Sequence, residues 1–166
     1  LAGALVNALR AQGTVAVLVD GDQVRRVVAD ETTGYDLASR LRNARRISRC
    51  AQWLESQGLV VVVATVSLFH QIHQWNRENF RDLFEVLIEL PLSQLRERHP
   101  DQLYDEASEV MGLHQAPEYP NQPHLVWRNE GATGDFVDQL MARLPVAPEG
   151  VLPPLTLPIR SRLGNE

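Results

Sequence analysis

Apolar positions along the chain follow two different periods in turn. Residues 1–11 (LAGALVNALRA) place Leu1, Leu5, Val6 and Leu9 at helical spacing, and Gly13 follows as a stop. Residues 15–19 are a short apolar run between Gly13 and Gly21, the pattern of a strand buried on both faces. A long helix is predicted over 36–57, turning Leu37, Leu41, Ile47, Cys50, Ala51 and Leu54 inward and ending at Gly58. Residues 59–67 (LVVVVATVS) are too β-branched for a helix and too uniformly apolar for a half-exposed strand, so they read as a fully buried one. Beyond them the pattern predicts a helix over 70–80, a strand over 84–90, a helix opening at Pro91 over 91–98, and a short strand over 124–129.

Strands that alternate with helices imply crossover connections, hence a mostly parallel α/β sheet of about five strands with helices on both faces. Ligands of such sheets lie beyond the carboxyl ends of the strands. The stretch LVDGDQVRR over 18–26 then acquires a place, because Asp20, Gly21 and Asp22 fall at one strand end while Ser67 falls at another. By itself an Asp-Gly pair after a strand reads as a turn. After Pro145 the chain is proline-rich and aperiodic, so residues 146–166 read as an extended tail outside a domain formed by 1–145. There is no internal repeat.

Length and charge narrow the partners. A chain of 166 residues with 44% apolar and 22% charged residues suits one globular domain. Its formal charge of −5 argues against a general nucleic-acid or membrane-surface role, which calls for a basic face, and favours a small-molecule partner. No apolar run reaches the roughly 18 residues of a membrane span. The single Cys50 cannot staple the fold and fits a reducing cytoplasm, where it reads as a small buried apolar residue. All sixteen basic residues are arginine, so any task that needs lysine must fall outside this stretch, and the opening Leu1 raises the expectation that initial residues are missing. His70 and His73 lie three apart without an evident third ligand, so no metal site is expected there. Arg42, Arg45, Arg46 and Arg49 read as a solvated helix face, and Trp53 and Trp75 as core or helix-packing residues.

Five segments carry a more specific message. VDGDQVR at 19–25, GYDLASRLRNARRI at 34–47, GLVVVVATVS at 58–67, FEVLIELPL at 84–92 and RHPDQLYDEA at 98–107 resemble, in order and spacing, the adenylylsulfate (APS) kinase family over residues 1–130. Leu1 and Ala2 look like the start of the helix that follows this family's phosphate loop, so the resemblance implies a P-loop kinase-like three-layer sandwich lacking its N-terminal strand and Walker A loop. It implies a kinase that transfers a phosphoryl group from ATP, with Mg2+, to the 3′-hydroxyl of adenosine 5′-phosphosulfate, with a homodimer as a candidate assembly. Asp22 matches the family's acceptor-side acid, and Asp20 the acid nearer the phosphates that holds magnesium through water, with Gly21 expected to let the backbone turn sharply between them. Arg25, Arg40 and Asn43 match the acceptor-binding set, Tyr35 the aromatic residue packed on the acceptor base, and Val66 and Ser67 the main-chain ledge beneath it. Arg46 also has a family counterpart.

The same resemblance marks departures. Where the family's lid usually reads Asp-Pro-Lys-Gly-Leu-Tyr-Lys-Lys-Ala, this chain has His99-Pro100-Asp101-Gln102-Leu103-Tyr104-Asp105-Glu106-Ala107, and only Arg98 keeps a cation for the nucleotide. Met111 and Gly112 fall at the family's acceptor-base clasp, but Val110 replaces its aromatic ring, a stacking partner worth about 1–3 kcal/mol per base. Three readings stand side by side: an APS kinase, a related kinase for another nucleotide conjugate such as a cytidine diphosphate derivative, and a non-catalytic binding module.

Overall fold

The structure is a computed structural model describing residues 1–28, 34, 36–89, 117–129 and 131–144. Helix α1 (Ala2–Ala11) buries Leu5, Val6 and Leu9, the stripe that its spacing predicts. Gly13 closes it at φ 83°, a left-handed position that suits glycine. Strand β1 (Ala16–Asp20) follows, then a short helix α2 (Gly21–Val27), the long α3 (Leu37–Glu55), strand β2 (Val60–Ala64) and helix α4 (His70–Asn79). Strands β3 (Val86–Glu89) and β4 (Leu125–Arg128) and helix α5 (Thr133–Met141) complete the described elements. Among the described residues, no helix is long and apolar enough to cross a membrane.

All strand pairing is parallel. β1 lies beside β2 with Ala16 opposite Val60 and Asp20 opposite Ala64, and β3 lies beside β4 with Val86 opposite Leu125. The four described strands therefore form two pairs with no ladder between them. One face is covered by α1, which packs on β1, β2 and α5; α3 covers the other face of β2 and touches α2 and α4. The main core joins Leu5, Val6, Leu9, Ala16, Leu125, Trp127, Phe136 and Leu140, with the Trp127 and Phe136 rings edge-to-face at 5.4 Å.

Three-layer α/β order thus holds, with several local differences. Gly21 does not form a free turn: it is the first residue of α2, at a negative φ. The residue is glycine because an added Cβ would lie 2.9 Å from Thr65 Oγ1 and 3.3 Å from the Ala64 carbonyl, so α2 starts against the tip of β2. Trp53 is 63% exposed rather than packed, since it sits roughly two and a half turns beyond Ala44, on the opposite side of α3. Leu37, on the first turn of α3, is also exposed, and Cys50 is half-buried rather than fully buried. Val60, Val61 and Val62 of β2 are only half-buried and Val63 is exposed, because one edge of that strand faces an open cleft. Trp75 does pack within its helix region, edge-to-face on Phe80. The helix expected over 91–98 lies outside the described residues, whereas α5 was not expected from the pattern.

Candidate active site

The carboxyl edge of β1 is built by one side chain. Asp20 is the N-cap of α2, and its Oδ1 accepts from the backbone N–H of Asp22 and of Gln23, both at 3.0 Å. This fixes the carboxylate at the strand tip and starts the helix that carries Asp22 and Arg25. Asp22 is exposed in the first turn of α2, where the positive end of the helix favours an acid.

Arg25 reaches sideways: its Nη1 donates to the Gly34 carbonyl at 2.7 Å. Gly34 is tucked beside the next helix start, where an added Cβ would lie 2.8 Å from Asp36 Oδ2. Asp36 caps α3 by accepting from Ser39 N at 3.0 Å and from Ser39 Oγ at 2.5 Å, and Arg42 Nη2 donates to the same Ser39 hydroxyl at 2.7 Å. The Ser39 hydroxyl and then its backbone N–H hold the Asp36 carboxyl below its ordinary value of 3.8. A group so depressed stabilises the folded state above its unfolded pKa, and the contribution fades as pH falls through the lower folded value. Asp36→Ala is therefore expected to melt earlier than the parent at neutral pH, with the gap closing below about pH 3.8; a gap constant down to pH 2 in circular-dichroism melts would remove this cap from the account.

Arg40 is half-buried in the first turns of α3, which rests on α2. One turn further on, Asn43 is 7% exposed and its Oδ1 has no hydrogen-bond partner among the described residues. Past the end of β2, Val66 is 69% exposed while Ser67 is 8% exposed, its Oγ likewise without a partner among the described residues. Among the described residues Asn76 Oδ1 and Trp127 Nε1 share this state, so it does not by itself single out the site.

The structure thus brings Asp20, Asp22, Arg25, Arg40 and Asn43 onto two helices that pack together at the end of β1. Asp20, Val66 and Ser67 also line a large cleft between β2 and β3; Asp22, Arg25, Arg40 and Asn43 are not among its described lining residues. Tyr35, Arg98, Met111 and Gly112 lie outside the described residues. Thr65, against which Gly21 closes, and the Gly34–Asp36–Ser39 cap were not singled out from sequence, although an acid three residues before Ser39 is a helix-start signal. Among the described residues no group of three or more potential metal ligands occurs. Instead His73 pairs with Glu85 at 3.1 Å and Arg77 with the same carboxylate at 2.5 Å, tying α4 to the start of β3.

A parallel sheet covered on both faces, with acids at a strand tip and arginines on the flanking helices, is the layout of an α/β nucleotide-binding kinase. The fold matches the Mycobacterium tuberculosis APS kinase solved in complex with AMPPNP and APS, with a TM-score of 0.76 and 25% identity over 85% of this chain and 86% of that one. Residues 1–128 match the adenylylsulphate kinase family model. An adenylyl-sulfate kinase of Aeromonas hydrophila is 36% identical over 156 residues, 87% of this chain and 77% of that protein. A cytidine diphosphoramidate kinase of Campylobacter jejuni is 30% identical over 104 residues, covering 63% of this chain and 60% of that protein. The chain belongs to the adenylylsulphate kinase family, and so is a phosphotransferase with an alcohol group as acceptor.

Proposed function

We propose that this kinase transfers the terminal phosphoryl group of ATP to the 3′-hydroxyl of adenosine 5′-phosphosulfate. The observation that carries this reading is the Asp20-Gly21-Asp22 tip of β1, with Arg25 behind it and Arg40 and Asn43 on the adjoining helix, in a chain of this family. The acceptor oxygen attacks the terminal phosphorus while the bond from that phosphorus to the ADP oxygen breaks. The hydroxyl proton passes to the Asp22 carboxylate, which also holds the hydroxyl in line. Arg25 and Arg40 offer planar guanidinium forks suited to a phosphate or sulfate group, and Asn43 and Ser67 offer polar atoms beside them.

Asp20 fits a magnesium role: it is a hard oxygen donor whose Oδ1 is held in place by two backbone N–H groups. Magnesium held there through water would neutralise charge on the triphosphate. Residues 1–145 act as the kinase domain and 146–166 as a proline-rich tail in this reading.

Arg40→Met tests the acceptor pocket. Losing a charge-assisted bond worth about 1.5–3 kcal/mol should raise KM for adenosine 5′-phosphosulfate about 10- to 100-fold with kcat little changed. An unchanged acceptor KM would place the pocket elsewhere.

A second acceptor is favoured by one specific observation, the similarity to the Campylobacter cytidine diphosphoramidate kinase, together with the acids at 101, 105 and 106 and the non-aromatic Val110. ADP release measured side by side with adenosine 5′-phosphosulfate and cytidine 5′-diphosphoramidate separates the two. A higher kcat/KM on the sulfate ester is expected, and the reverse order would move the acceptor while leaving phosphoryl transfer in place.

A further inference from the structure

We propose that His73 is a positioning residue that works as a cation: with a proton on each ring nitrogen it fastens the chain at Glu118 to helix α4, steadies the neighbouring stretch at Val66 and Ser67, and makes acceptor affinity depend on pH. The two ring nitrogens face different partners. Nδ1 lies 3.1 Å from Glu85 Oε1, and Nε2 lies 3.2 Å from the Glu118 carbonyl oxygen. A carboxylate and a carbonyl only accept, while a neutral imidazole has a single N–H to offer. Either neutral tautomer therefore sets a nitrogen lone pair against an oxygen, whereas the imidazolium donates to both. The His73 side chain is 14% exposed and that of Glu85 11%, so water does little to replace a missing donor.

Glu118 is tied in turn to the end of β2. Its backbone N–H donates to the Leu68 carbonyl at 3.2 Å, and Leu68 directly follows Ser67. Its carboxylate accepts from His70 N at 2.6 Å, in the first turn of α4, where the positive helix end favours an acid. Phe69, the N-cap residue of α4, has no side-chain acceptor for that turn, so Glu118 supplies one from a distant part of the chain. Farther along the same segment Arg77 makes the matching bridge, from Glu85 Oε2 at 2.5 Å to the Gln122 carbonyl at 3.2 Å. The guanidinium keeps its charge at any physiological pH. The segment is thus held at Gln122 by a permanent cation and at Glu118 by one that can lose its proton.

The charged and titratable groups gathered around His73 are His70 and Arg77 of α4, Glu85 before β3, and Glu118 and His124 of the facing segment, where His124 Nδ1 accepts from Glu85 N at 2.9 Å. Helix α3, packed on the same helix, brings Arg45, whose guanidinium donates to Gln71 at 2.6 Å. Histidine ordinarily changes charge between about pH 5 and 8. The fastening is therefore complete at the acid end of that range and is lost as pH rises through it. The link to acceptor affinity rests on reading Val66 and Ser67 as the ledge beneath the acceptor.

NMR on the intact protein tests the fastening without turnover. At about pH 6 both ring nitrogens of His73 are expected to carry protons, and loss of one by about pH 8.5 should lower the exchange protection of the Glu118 amide on the order of 10-fold relative to a free peptide at the same pH. The Val60 amide, bonded to Val15 in the β1–β2 ladder, should keep its protection. Over the same range the KM for adenosine 5′-phosphosulfate should rise about 2- to 10-fold, the worth of one hydrogen bond. His73→Arg, with a permanent charge, should flatten that rise, and His73→Gln, with an uncharged donor, should show the high KM at both ends. A neutral His73 ring at the acid end, a Glu118 amide equally protected throughout, or the same KM profile in the parent and both variants would overturn the proposal. Ring and amide changes as expected in a protein that turns over no acceptor would uphold the fastening and fail the kinase reading instead.

Discussion

Asp22→Asn leaves a folded protein whose turnover falls by about 10²- to 10⁴-fold, the usual contribution of a positioned general base. The fold is expected to survive because Asp22 is exposed, its side chain buries nothing, and the helix start is held by Asp20. The backbone N–H of residue 22 remains available to that cap in the variant. Steady-state kinetics with saturating ATP and acceptor, beside a thermal melt, separates the roles. A near-parent kcat would remove the acid from the chemistry, while a collapsed melt with lost activity would make it structural instead.

Gly21→Val is the second large effect, and it reaches the site through the backbone. The new side chain must enter space already held by Thr65 Oγ1 at 2.9 Å and by the Ala64 carbonyl at 3.3 Å from its Cβ. A side chain can rotate aside; a carbonyl at a strand end cannot without moving the strand. Overpacking of this kind costs about 1–3 kcal/mol, read as a lower denaturant midpoint. It also displaces Asp20 and Asp22 relative to residues 64–67, and a shift near 1 Å is worth about 10²-fold in rate. Thr65→Ala in the same chain removes the nearest obstacle and should recover part of both losses. If Gly21→Val matches the parent in midpoint and kcat, the close approach of α2 to the tip of β2 is not needed.

Legibility of these features in sequence followed the strength of local periodicity. Helices α1, α3 and α4 and the strands β1 and β2 announce themselves because each repeats its apolar residues or runs of valine long enough to exclude the other period. Helix α2 has only seven residues and opens on an Asp-Gly pair that equally starts a turn, so only the long-range contact with Thr65 reveals why glycine is there. Helix α5 carried a readable signal in Phe136, Val137, Leu140 and Met141, but its glycine and two aspartates dilute it. Trp53 misleads by residue type: its chemistry suggests the core, while its angle on α3 sets it in solvent. At the site, the strand-end acids followed from the parallel-sheet rule, and the arginines from family likeness. The burial of Asn43 and Ser67, and the clamp from Arg25 through Gly34 to Asp36, depend on how two helices meet, which no local pattern encodes.

Helix α1 touches β1 and β2 on one side and α5 on the other, while its residues share a core with Leu125 and Trp127 of β4. Mechanical continuity between the half bearing the acids and the half ending at Arg128 therefore runs through this shared core, which also takes in Val60 and Val62 of β2, and through the pairs of His73 and Arg77 with Glu85. Strain applied to either half is felt by the other, and thermal opening should propagate across both as one cooperative event and not as two separate foldons.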